Sequence, residues 1–150
     1  EAWILAGGAH LLALAAGCSL PRIAIHDDPL SPAEHLALGQ ADEARGEAEA
    51  AVREYRTAAR HLPLARLFLG NALFGLGRLD EAEEAWREAV RLLPDNAEAR
   101  NNLAWLLYVR KEGLEEAEAL AARAVELEPG RPEFRDTLDQ VRAARGRVSP

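Results

Sequence analysis

The chain has 150 residues, 29% of them charged and 49% apolar, a balance that suits one folded domain with a core of its own. A net charge of -7 and an isoelectric point near 5.2 leave no basic surface able to neutralise a phosphate backbone, although residues 131–150 hold five arginines against three acids, so nucleic acid is not an expected partner. A single cysteine, Cys18, excludes an intramolecular disulfide and a multi-cysteine zinc site.

From Ala2 to Gly17 the sequence is an apolar run, AWILAGGAHLLALAAG, interrupted only by His10 and closed by Cys18-Ser19-Leu20-Pro21. It is too short to span a bilayer comfortably and has the length of the apolar core of a secretory signal. The small residues Ala15, Ala16 and Gly17 directly before Cys18 suit a processing enzyme that admits only small side chains near its cut. Leu14-Ala15-Ala16-Gly17-Cys18 therefore resembles a bacterial lipobox, with Ala15 where Leu is usual. The resemblance implies that residues 1–18 form a signal-like segment, that Cys18 becomes the acylated first residue, and that the protein is held in a bacterial envelope by its lipid. Ser19 after the cysteine is compatible with sorting to the periplasmic side of an outer membrane. The other reading of this stretch is a helix buried against the rest of the chain, with Cys18 as an inert small residue.

Residues 19–31 contain Pro21, Asp27, Asp28 and Pro29, carry no helical period, and read as a tether. His26-Asp27-Asp28 reads as a solvated turn, because three adjacent loop side chains cannot converge on one ion unaided; no metal or cofactor is expected. Beyond residue 31, abundant Leu, Ala, Glu and Arg favour helix almost throughout. Ser31-Pro32-Ala33-Glu34 is a helix start, combining a capping serine, a first-turn proline and a glutamate three residues on.

The chain then repeats itself. The stretch Leu38 to Pro63 realigns on Leu69 to Pro94 at an offset of 31 without a gap. Leu38-Gly39, Gly46, Ala51, Tyr55, Ala58 and Pro63 recur as Leu69-Gly70, Gly77, Ala82, Trp86, Ala89 and Pro94. A third copy runs through Leu103-Ala104, Gly113, Ala117, Ala121, Ala124 and Pro129, with one extra residue in the turn around Lys111 to Gly113. Each type has a mechanical use. Gly39 and Gly70 let two helices approach, and the alanines remove bulk where the second helix crosses its neighbours. Gly46, Gly77 and Gly113 end first helices where a positive φ is needed, and the prolines stop second helices by withholding a donor.

This pattern resembles the tetratricopeptide repeat (TPR), over about residues 31–145. The resemblance implies an all-α, right-handed solenoid of three helix-turn-helix repeats, at 32–63, 64–94 and 95–129, with a capping helix at 130–146. Phe134, Leu138 and Val141 supply the apolar stripe of that last helix. In the family, Tyr55 and Trp86 would fill the gap between successive repeats. Three features depart from the pattern: Asp42 at a usually large apolar position, Ala121 in place of Tyr55 and Trp86, and a step of 31 where about 34 is usual, which points to a first junction shortened by three residues.

The resemblance also implies a concave face lined by first helices. Carried over position by position, the candidate binding residues are Leu67, Phe68, Asn71 and Phe74 from the second repeat and Asn101, Asn102, Trp105 and Tyr108 from the third, flanked by Leu64, Gly75, Glu98 and Val109. Four of the chain's eight aromatic residues fall here. Asn71 and Asn102 stand where peptide-binding members place amides that pair with a ligand's main chain. The cations of carboxylate-clamping members are replaced by Leu67, Glu133 and Thr137. The expected function is a non-enzymatic scaffold, a lipid-anchored adaptor or assembly factor of an envelope complex that holds another protein or an extended peptide. The alternative is a structural subunit or homo-oligomer whose groove is filled by its own N-terminal helix or a second copy. No nucleophile elbow, phosphate-binding loop, dinucleotide fingerprint or metal pair is present to suggest catalysis, and His35 and His61 are expected at ordinary helix positions.

Overall fold

The computed structural model describes residues 28–148, which form seven α-helices and no strand. The segment with the lipobox-like cysteine Cys18, and most of the expected tether, lie outside the described residues. The helices are α1 (Pro32–Ala44), α2 (Ala48–Ala58), α3 (Ala65–Gly75), α4 (Leu79–Leu92), α5 (Ala97–Arg110), α6 (Leu114–Leu127) and α7 (Pro132–Val148). They pack in chain order as hairpins, α1 on α2, α3 on α4 and α5 on α6, with each hairpin laid against the next and α7 seated on both α5 and α6. Substantial contacts join only close neighbours along the chain, the arrangement of a solenoid. Phe134, Leu138 and Val141 of α7 are buried as their spacing predicts, closing the apolar flank of the third hairpin.

Local signals account for the helix ends. Ser31 and Glu34 form a reciprocal capping box at α1, with the Ser31 amide donating to Glu34 Oε2 at 2.7 Å, and Asn96 caps α5 by accepting from the Ala99 amide at 2.7 Å. Gly46, Gly77 and Gly113 have φ of 78°, 73° and 52° between the two helices of their pairs. The extra residue of the third turn has a visible effect: Lys111 itself adopts the left-handed conformation, at φ 57°.

Inside each of the first two hairpins a ring is sunk into a notch. A Cβ on Gly39 would lie 2.4 Å from Tyr55 Cε1, and one on Gly70 would lie 2.4 Å from Trp86 Nε1. Tyr55 and Trp86 therefore fill the space vacated by their own repeat's glycine, and Tyr55 also reaches the next repeat, its ring 5.8 Å from that of Phe68. The third hairpin has Ala104 at the glycine position and Ala121 at the ring position, both fully buried in the same core, so a smaller second-helix residue accompanies a larger first-helix one. Asp42, the polar intruder at an apolar position, is buried and accepts a charge-assisted hydrogen bond from Arg45.

The shortened first junction changes the path of the chain. Although Pro63 marks the end of the pattern, α2 stops at Ala58, and the link to α3 is a series of tight turns, among them His61 N to Ala58 O at 3.1 Å and Ala65 N to Leu62 O at 3.0 Å. His61 consequently lies in this link, exposed, and not in a helix. Turns of this kind rise about 2.0 Å per residue against about 1.5 Å in an α-helix, so unwinding the last turn of α2 recovers reach with fewer residues.

Candidate protein-interaction site

The second and third repeats bring a compact polar and aromatic cluster to one surface. Asn71, Phe74, Trp86, Asn102 and Trp105 line a shallow cleft of about 230 Å³ across α3, α4 and α5. Phe74 is tilted against Trp86 at 5.6 Å between ring centroids, and Trp105 against Tyr108 at 5.3 Å. Asn71 is the hub: its Oδ1 accepts from Trp86 Nε1 at 3.0 Å and from Asn102 Nδ2 at 2.9 Å. The indole N–H also points at Leu67 O, 3.3 Å away.

These bonds orient both amides. With Asn71 Oδ1 and Asn102 Nδ2 committed to each other, Asn71 retains its NH₂ donors and Asn102 its carbonyl acceptor, neither with a protein partner among the described residues. One donor beside one acceptor, flanked by three rings, is the complement of a peptide unit with an apolar side chain.

The eight sequence-selected residues are not equivalent. Asn71, Phe74, Asn102 and Trp105 share the cleft, Tyr108 extends it along α5, and Phe68 is half-buried against Tyr55. Leu67 and Asn101 occupy the same position in successive repeats, and both are turned into the packing; the Asn101 Oδ1 has no hydrogen-bond partner among the described residues. Trp86 is the residue missed by the sequence reading. It belongs to a second helix, where the repeat pattern predicts packing alone, yet its indole forms one wall of the cleft. The signal was its polar N–H, which a purely apolar gap-filler does not need.

Electrostatics near the first repeat centre on His35, which is buried in α1. Its Nδ1 is 2.7 Å from Glu54 Oε2 of α2 and its Nε2 is 3.0 Å from Asp28 Oδ2. The hydrogen bond with Glu54, reinforced by Asp28, raises the imidazole pKa despite burial. Arginines tie successive repeats on the outer surface: Arg78 to Glu49 at 3.2 Å, Arg110 to Asp80 at 2.8 Å, and Arg142 to Glu118 at 3.0 Å. No cluster of three metal-ligating side chains occurs, and no helix is long and apolar enough to cross a membrane, among the described residues.

A tetratricopeptide-repeat family profile matches residues 34–92 and again 67–132. The chain belongs to the tetratricopeptide-repeat family. No curated protein matches it. Among solved structures, the TPR chain resembles the first TPR of Spaghetti (RPAP3) bound to the HSP90 peptide SRMEEVD, with a TM-score of 0.73 and 23% identity over 81% of this chain and 98% of that one. The first TPR domain of human RPAP3 gives 0.69 at 23% identity, covering 77% and 93% of the respective chains. The Sgt2 TPR domain from Aspergillus fumigatus gives 0.68 at 19%, covering 79% and 85%. At these identities the likeness establishes the TPR solenoid. Domains of this family are protein-interaction scaffolds whose stacked repeats present extended concave surfaces.

Proposed function

We propose that the chain is a non-enzymatic adaptor that holds an extended segment of another protein across α3 and α5. The observation that carries this reading is the oriented amide pair Asn71–Asn102, set between Phe74, Trp86 and Trp105. Main-chain pairing with the amides supplies register, and the rings supply contact area at low entropic cost. The peptide-bound RPAP3 domain supports a peptide ligand for this class of surface. The grip here has a different basis from a carboxylate clamp: Leu67 is buried, Glu133 is paired with Arg131, and the Thr137 hydroxyl donates to Glu133 O at 3.0 Å.

The test is capture of partners from the organism of origin by the full chain and by a Trp105→Ala variant with unchanged helix content. Loss of the captured protein supports the groove; undiminished capture by the variant defeats it. Asn71→Ala is a poorer probe, because Asn71 also anchors Trp86.

The finer reading is an adaptor or assembly factor tethered in a bacterial envelope, on the periplasmic side of the outer membrane. Its support is the apolar run ending in Leu14-Ala15-Ala16-Gly17-Cys18. Labelled palmitate should enter the protein in cells and fail to enter a Cys18→Ser variant; incorporation indifferent to that substitution would remove the anchor.

A further inference from the structure

A second hollow lies beyond Tyr108, toward the end of α5. It encloses about 430 Å³ and is lined by Tyr108, Val109, Lys111, Leu114, Ala144 and Arg147, contributed by α5, the turn after it, the start of α6 and the end of α7. The paired rings of Trp105, which lines the cleft, and Tyr108, which lines this hollow, stand between the two and make them neighbours on one face. Its walls are mostly apolar, with the two cations Lys111 and Arg147 among them, and Val109 is among the most exposed large apolar side chains of the described residues, at 47%.

The charge of this hollow sets it apart. The chain as a whole carries a net charge of -7. Arg110 and Arg145, the arginines next to the hollow, are bound by Asp80, Glu83 and Glu112 and by Glu118 respectively. Lys111 and Arg147 form no ion pair among the described residues, and no carboxylate lines the hollow with them. Two unpaired cations at the rim of an apolar recess, on an otherwise acidic molecule, create a local potential that selects for negative charge. Lys111 is held there by the left-handed turn that the extra residue creates.

We infer that this hollow receives an acidic-apolar element of the bound peptide: an aliphatic or aromatic side chain in the recess and a carboxylate, from Asp, Glu or a chain terminus, between Lys111 and Arg147. The inference rests on the groove reading above and adds polarity to it. The ligand's apolar stretch lies across Asn71 and Trp105, and its acidic end points to the ends of α5 and α7. A peptide with a basic residue at that end is rejected by the two cations.

The experiment selects binders to the full chain from a displayed library of random dodecapeptides, then measures synthetic versions by fluorescence anisotropy. The proteins are wild type, Trp105→Ala, and Lys111→Glu combined with Arg147→Glu, each checked for unchanged helix content. Both charge-reversed residues are exposed, so the fold should tolerate the change. The expected binders carry a carboxylate a few residues from an apolar side chain. The double reversal should weaken them about tenfold, and should have little effect once the peptide's carboxylate is replaced by an amide. Side-chain and terminal sources are separated by comparing Glu→Gln peptides with C-terminally amidated ones. Binders that need Trp105 but show no acidic preference, with affinity unmoved by the double reversal, overturn this inference and leave the groove reading standing. If no peptide depends on Trp105, both fall. Peptides indifferent to the two cations, together with phosphatidylglycerol vesicles that require them, would reassign the site to a lipid headgroup and overturn the peptide assignment.

Discussion

Replacing Gly70 by alanine tests how tightly the second repeat is fitted. The new methyl carbon would lie 2.4, 2.5 and 2.8 Å from Trp86 Nε1, Cδ1 and Cε2, where unstrained carbon contacts run at about 3.5–4.0 Å. The indole must therefore retreat by about 1 Å. It is 3% exposed, faces Phe74, and donates to Leu67 O and Asn71 Oδ1, so retreat strains the packing and both hydrogen bonds. Overpacking costs about 1–3 kcal/mol and each weakened bond up to about 1, against roughly 1 kcal/mol gained in helix propensity. The net expectation is a loss of about 2 kcal/mol, which lowers the midpoint of a thermal unfolding curve by roughly 6–10 °C at this size. Gly75→Ala is the matched control in the same helix: its Cβ meets nothing within 4 Å, so stability should hold or rise by a few tenths of a kcal/mol, roughly. In a Trp86→Ala background the cost of Gly70→Ala should largely vanish. A Gly70→Ala protein as stable as wild type, or one no worse than Gly75→Ala, would refute this account of the notch.

Three further outcomes follow from the geometry. His35 gains its raised pKa by pairing with Glu54 and Asp28, so the pairing contributes fully below the unfolded imidazole's pKa of about 6.5 and is lost as pH rises through the higher folded value; the difference in melting temperature between wild type and His35→Gln should shrink from pH 5.5 to 8.5, and a constant difference would contradict it. Asn71→Ala should lower stability by about 1 kcal/mol in the absence of any partner, measured by urea unfolding, because Asn102 loses its acceptor and Trp86 keeps only the longer bond to Leu67 O; an unchanged midpoint would show the amide is not a structural hub. Lys111→Gly should raise stability by up to about 1 kcal/mol by relieving the left-handed strain, while weakening acidic peptides; a destabilised variant would mean that this turn is not strained.

Small residues made the fold readable. Gly39, Gly70 and the alanine series fix where helices cross, and Gly46, Gly77 and Gly113 fix where the chain turns, because few other residue types fit those places. The end of α2 was not readable from Pro63, since a proline only forbids continuation; how far upstream the helix unwinds depends on the distance the shortened link must cover. The cleft was half readable. Asn71, Phe74, Asn102 and Trp105 follow from their register on first helices, whereas the burial of Leu67 and Asn101 depends on how far each helix is rolled against its neighbours. Trp86 was not legible as a site residue because its repeat position specifies only the notch beside Gly70, whereas the cleft wall it also forms depends on how its indole meets Phe74 and Asn71 across the helices.

The pairing of notch and knob constrains how such an array could be rearranged. Gly39 goes with Tyr55, Gly70 with Trp86 and Ala104 with Ala121. Grafting the third repeat's first helix onto the second repeat's second helix would drive a methyl group into an indole, and the reverse graft would leave a void beside Ala121. The two helices of a hairpin are thus inherited as a unit, and recombination breakpoints should be tolerated between hairpins but not within them.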